Sequence, residues 1–192
     1  GAKAYLIGGW VSPPKFPNDT EGTFLAAVDV FDLQQETAAE ASWQLPEPLR
    51  RAFTAVVMDE NIVLLGGLGV GSSNFELLAS VTQINPMTGF TNEISTLPFP
   101  TFAPAAGVLG KELMVFGGLL KTSREDFEYV AHTYAMNTES LVWQHTGRSL
   151  QETKGFAQVV PFSGGLAVLG GHHTYVDRDA PVNTFAFLCR YC

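Results

Sequence analysis

The chain has 192 residues, 46% hydrophobic and 16% charged, a balance that suits a folded chain with a substantial core and excludes a disordered one. Eleven Lys and Arg against nineteen Asp and Glu leave a formal charge of −8, so no nucleic-acid partner is expected, because counterion release needs clustered cations. The longest stretch free of Asp, Glu, Lys and Arg, 155–176, is broken by Pro161, Ser163, Gly164, Gly165 and the Gly170-Gly171 pair, so no membrane insertion is expected either.

Four apolar runs close on a Gly-Gly pair: AYLIGG at 4–9, IVLLGG at 62–67, LMVFGG at 113–118 and LAVLGG at 166–171. Their first glycines are spaced by 58, 51 and 53 residues, the period of a repeat of roughly 50 residues. Four repeats follow, approximately 3–46, 52–97, 103–147 and 156–192.

Gly1 leads straight into the first run with no basic, apolar leader, so no secretory signal is read. The loop after Gly9 holds one glycosylation triplet, Asn18-Asp19-Thr20, at a frequency chance would supply. A strand is predicted over Phe24–Asp32, then a short one containing Trp43. Arg50 and Arg51 precede the second repeat, where Phe53–Met58, the turn Asp59-Glu60-Asn61 and the run Ile62–Leu65 read as a β-hairpin. The run is apolar at every position, as in a strand covered on both faces. After Gly67 the segment GLGVG opens a polar loop and not a helix, so it is no phosphate cradle. Strands over Leu77–Ile84 and near Phe90 complete this repeat.

The third repeat has the same order: Ala103–Leu109, the turn Gly110-Lys111-Glu112, the run to Phe116, a strand over Tyr129–Met136 and a last one with Trp143. The fourth has Phe156–Phe162, the turn Ser163-Gly164-Gly165, the run to Leu169 and a strand over Val182–Cys189. The segment GGHHTYVDRD at 170–179 brings His172, His173, Asp177 and Asp179 close in sequence. Adjacent histidines in an extended segment point to opposite sides, so a surface loop and no metal site is expected. Cys189 and Cys192 form an isolated C-x-x-C with no second pair. Two cysteines favour a reducing compartment such as the cytoplasm, with a secreted or periplasmic placement left open.

Four-stranded antiparallel meanders repeated at this period, with no helical pattern between them, point to an all-β fold, a β-propeller. The motifs resemble the Kelch-repeat propellers, the class that includes the central domain of galactose oxidase. Gly-Gly ends the second strand, and Phe31-Asp32, Ile84-Asn85-Pro86 and Met136-Asn137 end the third. Trp43, Phe90 and Trp143 mark the fourth. The resemblance implies blades that begin with the second strand and, in this chain, three to four of a ring of six or seven. The tryptophans are expected between blades. The glycine pairs are expected to lie under an aromatic of the next blade.

Loops after the second strand and loops joining successive blades should emerge on one face, and function is expected there. In Kelch propellers that face commonly binds peptides. The candidate contacts are Trp10, Arg50, Arg51, Arg124, His172 and His173, within a wider set including Lys15, Phe75, Phe127, Lys154, Tyr175 and Arg178. The partner class is a protein or peptide, or membership of a larger complex, with no cofactor. A carbohydrate-active propeller enzyme, of the sialic-acid mutarotase or galactose oxidase kind, is the competing reading. Glu125, Asp126 and Asp177 would be its acid–base candidates, but they do not form a pair.

Overall fold

The computed structural model describes residues 2–11, 22–70, 75–122, 126–175, 178–181 and 185–189, with side chains described as far as residue 173. All the regular structure among these residues is β-strand. The fold is a β-propeller of small antiparallel sheets arranged as successive blades.

Two blades show the full four-stranded meander. One runs Thr54–Met58, Asn61–Leu65, Ser80–Ile84 and Thr91–Thr96; the next runs Ala105–Leu109, Glu112–Phe116, His132–Asn137 and Trp143–Ser149. The flanking sheets have three strands each: Lys3–Val11, Thr23–Asp32 and Thr37–Glu40 at one end, Gln158–Phe162, Gly165–Leu169 and Phe185–Cys189 at the other. The first strand of the third blade touches those of the second and fourth, which places these strands innermost. Trp43 lies beyond the short strand Thr37–Glu40, in the segment leading to the second blade, and not within a fourth strand.

The apolar runs are second strands covered on both sides. Val63, Leu65 and Val81 pack towards Leu113, Val115 and Met136 of the third blade, while Ile62, Leu64 and Ile84 pack towards Val28, Trp43 and Leu45 of the first. Alternate residues of one strand thus serve two interfaces. Trp43 and Trp143 both bridge to the second blade: Trp43 Nε1 donates to the Pro86 carbonyl at 3.0 Å and Trp143 Nε1 to Ser95 Oγ at 3.1 Å.

In the first three blades the Asp or Asn at the end of the third strand closes the following turn. One side-chain oxygen of Asp32 accepts from the N–H groups of Gln34 and Gln35. Asn85 does so for Met87 and Thr88, and Asn137 for Glu139 and Ser140. These are Asx turns, for which Asp and Asn are suited by their short side-chain acceptor.

The glycine pairs correct one expectation. A Cβ on Gly66 would lie 2.5 Å from the Thr101 carbonyl oxygen, and one on Gly117 would lie 2.1 Å from that of Lys154. It is the backbone of the next linker, not an aromatic ring, that lies against them. Gly67 and Gly118 donate to those same carbonyls at 2.8 Å.

Candidate functional site

Each linker enters its blade by the same three-residue device. Arg50, Thr101 and Lys154 occupy its first position and are 1%, 0% and 2% exposed. Arg51, Phe102 and Gly155 occupy the second, where they pair with Leu68, Leu119 and His172 just beyond the glycine pair of their own blade. Ala52, Ala103 and Phe156 occupy the third, all with φ between 50° and 57°. The Ala103 N–H donates to the Ala52 carbonyl and the Phe156 N–H to the Ala103 carbonyl, so the linkers are joined blade to blade. Linkers and post-glycine loops therefore build one continuous face, as the sequence led one to expect.

On that face an aromatic cluster surrounds Arg51. Trp10 meets Phe24 edge-on at 4.7 Å and Phe75 at 5.7 Å. The Arg51 guanidinium lies 4.4 Å from the centre of the Trp10 ring and 5.4 Å from that of Phe75, within the range of a cation–π contact. No described carboxylate forms a salt bridge with Arg51.

A second cluster continues the face over the third and fourth blades. Phe102 meets Phe127 at 5.1 Å and Phe156 at 6.0 Å, and Phe156 meets His172 at 6.1 Å. Phe127, Phe156 and His172 are exposed. The two clusters are built at equivalent stations, since Phe75 pairs with Val70 as Phe127 pairs with Lys121.

Arg50 is not the surface contact its sequence position suggested. Its Nη1 donates to the Gly66 carbonyl at 3.2 Å and to Ser80 Oγ at 2.9 Å, and its Nε to the Pro48 carbonyl at 3.4 Å. Burial pulls its pKa below the ordinary arginine value, partly opposed by the Glu93 carboxylate. Lys154 is likewise buried, with its pKa lowered by desolvation and partly restored by Glu152.

His173 follows His172 in the strand His172–Tyr175, which pairs with Arg178–Pro181. Arg124, Lys15, Glu125, Asp177 and Cys192 lie outside the described residues, while Cys189 ends a strand. Phe24, Phe102 and Phe156 belong to the clusters but were not among the contacts expected from the sequence. The signal for Phe102 was its register with Arg51, one position past the residue that meets the Gly-Gly pair.

No family model matches the chain. No curated protein matches it either. Among solved structures it is similar to that of YjhT, with a TM-score of 0.64 and 17% identity over 76% of this chain and 51% of that one. The chain thus spans about half the length of that neighbour, and the likeness is one of fold.

Proposed function

We propose that this propeller is an interaction module whose loop face binds a protein or peptide partner, with Arg51 on Trp10 and Phe75 as the anchor. The observation that carries this reading is the Arg51 guanidinium held over two aromatic rings on the face where the linkers pair with the short strands that follow the glycine pairs. Stacking orients the guanidinium while leaving its in-plane N–H donors for a planar acceptor. Arginine and large aromatics are also the side chains that dominate binding energy at protein interfaces. The partner brings a carboxylate flanked by apolar groups, which rest on Trp10, Phe75 and the exposed rings of Phe127 and Phe156. His172 extends this surface, and His173 follows it in the same strand.

The carbohydrate-active reading has the fold alone behind it, and fold does not carry activity. A random-peptide selection on the full-length protein, counter-selected against Arg51→Ala, tests the proposal. Enrichment of acidic–apolar peptides that Arg51→Ala does not retain is the expected result. Equal retention by the variant would remove Arg51 from the interface.

A further inference from the structure

The linkers between blades share one plan, and the first departs from it. Leu45 and Leu97 mark the same station: both are buried, and their N–H groups donate to the carbonyls of Ala26 and Ala79, each at 2.7 Å. Two residues further on, the second linker places Phe99 and the first places Glu47. Phe99 packs edge-on against His132 at 5.6 Å and Tyr134 at 5.1 Å, and Tyr134 against His145 at 5.0 Å. Rings therefore occupy the space between that linker and its blade.

At the stations of those three residues the second blade carries Ser80, Thr82 and Glu93. Gly66 donates to the Ser80 carbonyl as Gly117 donates to that of His132, and Thr82 pairs with Glu93 as Tyr134 pairs with His145. Four rings are replaced by short or acidic side chains. The result is a cleft of about 470 Å³, within the roughly 300–1,000 Å³ usual for small-molecule sites.

Arg50 lines this cleft, where the third blade has Thr101. Its Nε and Nη1 are held by Pro48, Gly66 and Ser80, while no described group accepts from its Nη2. Glu47, Glu76 and Glu93 line the same space and are exposed. One guanidinium against three carboxylates gives a formal charge of −2.

We propose that this cleft binds a small zwitterion of the α-amino-acid class, its carboxylate on Arg50 and its ammonium among Glu47, Glu76 and Glu93. A free anion would meet the surplus of carboxylates. A simple cation would leave the Arg50 Nη2 donors unanswered and be repelled by the guanidinium. A ligand carrying both charges satisfies each in turn, its carboxylate taking a charge-assisted hydrogen bond from Nη2.

Calorimetry and thermal-shift measurements on the full-length protein test this with a panel of L-α-amino acids, with acetate and methylammonium as half-probes. At least one amino acid should bind saturably and raise Tm, with either half-probe weaker by about tenfold or more. The double variant Glu47→Phe, Thr82→Tyr, which restores rings found at the filled stations, should keep the wild-type circular dichroism and lose binding. Should it fail to fold, Glu93→Gln should weaken binding by about tenfold. The proposal is overturned if no amino acid binds saturably, if methylammonium binds as tightly, or if the folded double variant binds as the wild type does. Where only the single variant can be read, unchanged binding by Glu93→Gln overturns it.

Discussion

Arg50 and Arg51 are adjacent in a two-residue strand and point to opposite sides of it. Arg50 is 1% exposed and hydrogen-bonded to Gly66, while Arg51 lies over Trp10 on the loop face. One strand alternation separates a residue of the interior from one of the surface.

Their truncations should therefore differ in kind. Arg50→Ala removes the donor to the Gly66 and Pro48 carbonyls, and stability should fall by about 2–4 kcal/mol, the scale of lost charged hydrogen bonds in a buried place. Arg50→Lys should not restore it, because an ammonium cannot reproduce the planar fork. Arg51→Ala should cost about 1 kcal/mol or less, the worth of a half-exposed cation–π contact. Urea unfolding of the three variants checks the contrast.

The linker carbonyl against the glycine pair makes a second contrast. Gly117→Ala places a Cβ against the Lys154 oxygen at φ +61°, combining a steric collision with a strained backbone, and should cost about 3 kcal/mol or more. Gly147 has φ +71° with nothing within 4 Å of an added Cβ, so Gly147→Ala should cost only about 1–2 kcal/mol from the backbone itself. Equal losses would show that contact with the linker is not what requires glycine.

Much of this fold was legible because its determinants are side-chain identities at fixed offsets. The apolar runs, the tight turns, the Gly-Gly pairs and the Asp or Asn closing the third strand of the first three blades are all visible as letters. The partner of the glycine pair was not, since it is the carbonyl of Thr101 or Lys154, a group every residue carries. The division of labour between Arg50 and Arg51 was hidden for a different reason: the facing of a two-residue strand is set by pairing with Leu68 and Gly69, which local periodicity does not reveal. The clusters were half legible. Trp10 stood out beside Gly9, while Phe102 became meaningful only once its register with Arg51 was known.

Lys154 supplies a pH dependence. Its folded pKa is lowered by desolvation, so between that value and the unfolded one of about 10.4 the unfolded state binds more protons and stability rises with pH. The contribution is complete above the unfolded pKa and is lost as pH falls through the folded one. Lys154→Met removes this titration. Relative to that variant, the wild type should gain stability as pH is raised towards 10, measured by urea midpoints at matched pH. A constant difference across that range would mean that Lys154 titrates alike in both states.

The contact role of the loop face is tested most directly by hydroxyl-radical footprinting of the full-length protein, free and bound to its partner or to a selected peptide. Oxidation of Trp10, Phe75 and Phe127 should fall on binding, while Phe90, exposed beside the outer strand of the second blade, should be unchanged. Protection of Phe90 with no change at Trp10 would place the partner on the rim of the propeller and contradict the account.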